Sequence, residues 1–279
     1  MARIIAKQEL YVCLQELAKD LELIGPKELS HKGIFYEKLS DLKELYLGEG
    51  FTTGPAKEFF FLPSEHLCAA RFKESGESIE EVPLAENKRI IIGLRPCEAR
   101  GLTLLDKVFD SEYKDKFYIN NRLRTVVIGL SCLAPDRDCF CTSMGGSPVE
   151  SRGMDAIIFS SGNQFILEII TDKAKDIFGS IGRELNQDEQ KAWGADKVKR
   201  EAALTRKINP PESLEQFFQS PYWEKAASAC LSCGICTYLC PTCHCFDLVD
   251  EERKKLRCYD GCAFSDFTRE ASGVNPRST

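Results

Sequence analysis

Apolar positions first recur at helical spacing near the amino terminus, where Leu10, Leu14, Leu17 and Leu21 fall three or four residues apart with acidic residues between them. Residues so spaced share one face, so this stretch is predicted as an amphipathic helix. Ile24-Gly-Pro26 breaks the pattern, and Glu58-Phe-Phe-Phe-Leu-Pro63 ends in a proline that halts a strand or helix. The period then changes. Arg89-Ile-Ile-Ile-Gly-Leu94 and Thr125-Val-Val-Ile-Gly-Leu130 are short unbroken apolar runs, the pattern of strands buried on both faces of a parallel sheet, and Glu98 to Phe109 between them reads as a helix. Asp155-Ala-Ile-Ile-Phe-Ser160 and Gln164-Phe-Ile-Leu-Glu-Ile-Ile170 flank Ser161-Gly-Asn163, where Gly or Asn can take a positive φ. They are predicted as a hairpin that closes the sheet.

From about Asn186 to Lys207 charged and apolar residues alternate at helical period, and Asn209-Pro-Pro-Glu-Ser213 reads as a linker into a further helix toward Trp223. The expected fold is α/β, a mixed sheet with flanking helices over residues 1–208. A small ferredoxin-like, Cys-rich domain of helices and loops follows over 209–279.

Composition narrows the function. With 279 residues and 43% hydrophobic content the chain can bury a sizeable core. A net charge of -6 with scattered positive residues argues against nucleic acid as a partner. The sequence holds neither a secretory apolar region nor a run of about 20 apolar residues able to cross a bilayer, so a cytoplasmic location without a transmembrane segment is expected. In that compartment disulfides do not persist, and fourteen cysteines point instead to metal or redox chemistry. The three histidines, His31, His66 and His244, are widely separated and give little support to a His-dependent hydrolase.

Cys13 and Cys68 stand alone. Cys97 and Cys132 each follow a predicted parallel strand, and ligands of open α/β sheets sit beyond the carboxyl ends of such strands. With Cys139 and Cys141 they supply four thiolates for an additional cluster; inert packing or a place beside a flavin is the alternative. Arg95 and Arg100 are expected near the Cys97 loop, where positive charge favours a reduced cluster, unless they serve only as salt-bridge partners. Thr142-Ser-Met-Gly-Gly-Ser147 reads as a turn, with phosphate binding by its amides as the other possibility.

The most specific pattern is Cys230-Leu-Ser-Cys233-Gly-Ile-Cys236-Thr-Tyr-Leu-Cys240-Pro241, the bacterial ferredoxin run C-x2-C-x2-C-x3-C-P. The two-residue intervals let one loop wrap a cubane face, and Gly234 lets the backbone approach the inorganic sulfides. Cys240 leads to a second metal centre or completes the first. Zinc is the competing metal for C-x2-C pairs, which would make this a zinc-stabilised interaction module. Cys243, Cys245, Cys258 and Cys262 are candidates for a second cluster, although any one of them can be a small buried hydrophobe. His244 is a candidate ligand or a hydrogen-bond donor to cluster sulfide.

These segments resemble the iron-sulfur subunits related to the anaerobic sulfite reductase A subunit and the sulfhydrogenase beta subunit. The likeness is carried by Ile92-Gly-Leu-Arg-Pro-Cys-Glu-Ala-Arg-Gly-Leu102 with Leu104-Leu-Asp106, Gly129-Leu-Ser-Cys132, Asp138-Cys-Phe-Cys-Thr-Ser-Met-Gly145, Cys230 to Asp247, and Gly273-Val-Asn-Pro-Arg277. The resemblance implies 4Fe-4S clusters, at least one and by cysteine number two or more. It further implies a hetero-oligomer in which the chain relays electrons between a flavin-containing subunit and a catalytic redox subunit. A subunit that binds flavin and exchanges hydrides itself is the alternative. The family has a second ferredoxin run after the Asn-Pro-Arg segment, and the sequence reaches Thr279 without one. The expectation is a short or truncated ferredoxin-like domain, in which Cys230, Cys233 and Cys236 find their fourth thiolate among Cys240, Cys243, Cys245, Cys258 and Cys262.

Overall fold

The computed structural model describes residues 1–30, 32–73 and 76–276; His31 and Arg277 lie outside them. The chain groups into two compact units, Met1–Phe60 with Leu84–Ile208 and Phe61–Pro83 with Asn209–Thr279. In chain order β1 (Ala2–Ala6) leads into α1 (Lys7–Leu17), followed by β2 (Glu22–Leu29) and β3 (Gly33–Lys38). The second unit takes β4 (Ser64–Lys73) and β5 (Gly76–Glu81). The first resumes with β6 (Arg89–Leu94), α2 (Pro96–Phe109), α3 (Lys116–Leu123) and β7 (Thr125–Leu130). It ends with β8 (Ala156–Ser161), β9 (Gln164–Ile169), α4 (Asp172–Phe178), β10 (Arg183–Glu184) and α5 (Gln187–Ala202).

Among the described residues of the first unit, eight strands form one mixed sheet in the order β10-β1-β9-β8-β7-β6-β2-β3. β2, β6, β7 and β8 are parallel neighbours, and the remaining pairs are antiparallel. Every residue of β6 is buried, because strands flank it on both sides and both faces are covered. Leu10 and Leu14 of α1 enter the same core as Ile90, Ile92, Ile128 and Ile158. Leu21, predicted on that helix, lies past its end. The β8–β9 hairpin does not close the sheet: β1 pairs with β9, and β10 pairs with β1. A five-residue strand with only Ile4 and Ile5 buried carries too short an apolar signal to announce itself.

One glycine aims the chain toward the site. Gly93 has φ +94, and the β6–β7 register slips between Ile92 and Leu94, the signature of a bulge just before Arg95. A Cβ there would stand 2.7 Å from Pro26 Cγ. Gly93→Ala is therefore expected to lower stability by about 1–3 kcal/mol, read as a lower urea midpoint at unchanged slope.

In the second unit α6 (Tyr222–Ala227) and α7 (Ile235–Leu239) precede β11 (Phe246–Glu251) and β12 (Lys254–Tyr259). Among the described residues four strands form an antiparallel sheet, β11-β12-β4-β5. Arg257 is buried, pairs with Glu65 and lies over the Phe61 and Phe246 rings. Tyr259 stacks on Phe61 at 4.8 Å and donates its hydroxyl to the Phe61 carbonyl. The expectation of helices and loops alone is thus corrected: this unit is built on a sheet. Residues 61–83, assigned from the sequence to the 1–208 domain, group with 209–279 because β4 pairs with β12. No helix among the described residues is long and apolar enough to cross a membrane.

Candidate iron-sulfur sites

β6 and β7 end side by side, and each runs into a cysteine turn. After β6, Pro96 occupies the first turn of α2, where its missing N–H is no loss, and Glu98 accepts a hydrogen bond from Arg95 N at 3.1 Å. Cys97 sits in that first turn. After β7, Ser131 N donates to Ile158 O of β8 at 2.9 Å and Cys132 N to Pro148 O at 3.0 Å, so the backbone at Cys132 is held from both sides of the turn. Cys141 opens a 3-10 turn, Cys141–Met144, ended by Gly145 at φ +69. The amides of Gly145 and Gly146 donate to Thr142 O and Cys141 O, so both are engaged within the turn rather than free to hold a phosphate.

Cys97, Cys132, Cys139 and Cys141 lie close enough for their charges to act on one another. Cys97 opens to solvent, yet desolvation, then Glu98, Cys132 and Cys141, push its thiol up to about 12. Buried Cys132 is pushed up to about 11 by desolvation and by Cys139, Cys141 and Glu98, against the opposing charge of Arg95. Cys141 is raised first by burial and then by Cys139. Thiols held above their ordinary range deprotonate when a metal supplies the compensating charge. Cys97 interacts with Cys132 and Cys141, and both of these with Cys139, so the group supplies the four thiolates that a cubane takes. Among the described residues no three His, Cys, Asp or Glu side chains close on one point as a single-ion site would.

A frame of hydrogen bonds holds these turns. Arg95 donates to Ser131 O, Gly48 O and Gly50 O at 3.1, 2.8 and 2.7 Å. Arg100 donates to Met144 O at 2.5 Å, tying the Cys141 turn to α2. Arg206 binds Asp138 at 2.8 Å, and Ile208 N donates to Ser143 Oγ at 3.0 Å. The Glu98 carboxyl is raised by burial despite hydrogen bonds from Tyr36 and Arg95 N. Two members of this frame escaped the sequence: Tyr36, whose hydroxyl meets Glu98 at 2.7 Å, and Arg200, which reaches Ser131 Oγ at 3.0 Å. Arg200 is one charge among many on α5, and Tyr36 lies on an edge strand with no motif around it.

In the second unit Cys230, Cys233 and Cys236 are exposed on a loop that enters α7. Ser232 takes φ +54, and its N–H points at Cys230 Sγ, 3.4 Å away. Gly234 caps α7 at φ +71, and a Cβ there would meet the Phe264 ring at 2.3 Å. Gly261 is likewise seated on Thr237, its Cβ position 2.2 Å from Oγ1. These contacts bring the Gly261–Phe264 segment, with exposed Cys262, against the loop of Cys233 and Cys236. Cys240 is half-buried. Burial would raise its thiol, but hydrogen bonds with Thr242 and Cys243 bring it below the ordinary value. The β11–β12 register sets Asp247 opposite Cys258, and Asp260 N donates to Cys245 O, so Cys245 and Cys258 share one end of the hairpin. His244 Nδ1 lies 3.0 Å from Thr242 O.

Residues 229–279 match the 4Fe-4S dicluster domain family. The sulfhydrogenase 2 subunit beta of Pyrococcus furiosus is 29% identical over 259 residues, 88% of this chain and 74% of the relative. This chain is similar to that sulfhydrogenase subunit over most of its length. No solved structure matches it. The protein is an iron-sulfur subunit that carries 4Fe-4S clusters and serves electron transfer.

Proposed function

We propose that this subunit relays single electrons between a flavin-containing, pyridine-nucleotide-linked subunit and a catalytic partner, within a cytoplasmic hetero-oligomer of anaerobic metabolism. The partner is a hydrogenase or a sulfite reductase; the name of the Pyrococcus furiosus relative favours the former. The observation that carries this reading is the presence of two separate groups of thiols. One is at the β6 and β7 ends and the other is in the dicluster region. A protein holding several one-electron centres and presenting no acid-base constellation among its described residues acts by spacing, potential and docking.

In this reading Cys97, Cys132, Cys139 and Cys141 hold one cluster. Cys230, Cys233 and Cys236 hold a second in a ferredoxin-like loop, with Cys262 or Cys240 as fourth ligand. Cys243, Cys245 and Cys258 with the remaining thiol hold another. Twelve of the fourteen cysteines serve as ligands in this reading, and free thiols in that number suit a reducing compartment, where disulfides do not persist.

The full chain, purified without oxygen, is expected to contain iron and acid-labile sulfide in equal amounts, enough for at least two cubanes. Interacting paramagnetic signals should appear on reduction. Zinc without sulfide would end the relay reading, and stoichiometric flavin in the isolated chain would turn it toward a flavin subunit.

A further inference from the structure

Two buried guanidinium groups grip the Ser131–Cys132 segment. Arg95 is 7% exposed and spends Nη1 and Nη2 on the carbonyls of Ser131, Gly48 and Gly50. No carboxylate among the described residues lies within ion-pair distance of it. Glu98, the nearest carboxylate in sequence, turns its oxygens to Arg95 N, Tyr36 and Thr52. Arg200 is 3% exposed; Nη1 reaches Ser131 Oγ at 3.0 Å and Cys132 O at 3.5 Å, and Nη2 reaches Ser160 O at 2.9 Å. Its one carboxylate partner, Asp196 at 2.6 Å, has a side chain 41% exposed and so screened by water.

A buried cation solvated by carbonyls alone is costly unless an anion compensates it. The anions that can answer these charges are Asp196 on Arg200, Glu98, whose carboxyl feels Arg95 although burial raises it, and the thiolates of the cysteine group beside Arg95. Cys132 feels the charge of Arg95 directly, and iron binding would turn the four thiols into four negative ligands.

We propose that Arg95 and Arg200 are the built-in counter-charge of a cluster held by Cys97, Cys132, Cys139 and Cys141, and that together they set its reduction potential. The inference rests on the relay reading. On reduction the sulfur dioxide radical anion that dithionite releases gives up one electron and becomes sulfur dioxide, which hydrates to sulfite, while no bond at the cluster forms or breaks and no proton is taken up there. The charge facing the two guanidiniums becomes more negative by one. Positive charge fixed beside the site favours that state.

The test is a potentiometric titration of the full chain followed by electron paramagnetic resonance. The relevant signal is the one that disappears in the Cys139→Ser, Cys141→Ser double variant. Arg95→Gln should shift the reduction equilibrium toward the oxidised form on the order of tenfold, about 59 mV more negative for a one-electron couple. Arg95→Lys should keep most of the potential, and Asp196→Asn, which strips Arg200 of its partner, should move it the other way. Shifts of opposite sign are not what a merely structural role produces. Unchanged potentials in Arg95→Gln and Asp196→Asn, with iron and sulfide intact, overturn the proposal. If Arg95→Gln does not fold, Asp196→Asn decides: a rise supports it, and no change overturns it. A double cysteine variant that keeps all its iron and every signal removes the cluster itself, so the relay assignment fails first and this proposal with it.

Discussion

Replacing Cys139 and Cys141 together by serine is expected to remove one cluster's complement of iron and sulfide, while the signals from the Cys230–Cys262 region persist. Both residues sit on a segment that other contacts hold: Arg206 to Asp138, Arg100 to Met144 O and Ile208 N to Ser143 Oγ. None of these needs a cysteine sulfur. The apo segment should keep its place, and the loss should be one of ligands rather than of fold. Serine is a poor iron ligand beside a thiolate, and removing two of four leaves too few to retain a cubane. Iron and sulfide assays with spin integration measure the result. Full retention of both would mean that these thiols are inert packing.

The Cys233→Ser, Cys236→Ser double variant is expected to do more, because it costs the second unit one of its clusters and much of its stability. Leu231, Ile235 and Tyr238 are 88%, 59% and 46% exposed, so the loop has little apolar burial of its own. A cluster shared by this loop and Cys262 would act as a cross-link closing a loop of a few tens of residues, worth on the order of 3 kcal/mol. Hydrogen exchange should show protection falling across α7 and the β11–β12 hairpin, with β6 and β7 unaffected. Equal protection in wild type and variant would show that the loop is ordered without metal.

Where local chemistry sufficed, the sequence was readable. β6 and β7 declared themselves by apolar runs that only burial on both faces explains, and β8–β9 by the Gly162 turn at φ +57. The Asn186 N-cap of α5, with Glu189 completing a capping box, was implicit in the helical period that begins there. The β11–β12 hairpin was not legible. Its turn is Glu252-Arg253, both at positive φ, 45° and 68°, where Asn-Gly or Asp-Gly would normally give the signal. β4 was missed because its second partner, β12, lies far along the chain, and β5, which pairs with β4 alone, is polar throughout except for Ile79. The cysteines of the site could be named from their spacing and the strands before them. The frame around them could not, since Arg200 reaches Ser131 by tertiary packing alone.

The discontinuity of the second unit also orders events during synthesis. β4 and β5 leave the ribosome early, but the strand that pairs with β4, the Glu65–Arg257 ion pair and the Tyr259 hydrogen bond wait for the last fifth of the chain. Until then one side of β4 is an open strand edge, with Glu65 and Arg71 along the strand to discourage foreign pairing. The ferredoxin run and its hairpin emerge after the entire first sheet, so iron delivery to that region follows the synthesis of that sheet. A fragment cut at residue 209 would carry its cysteines without the strand that anchors them, and it should be recovered as aggregate even where iron is plentiful.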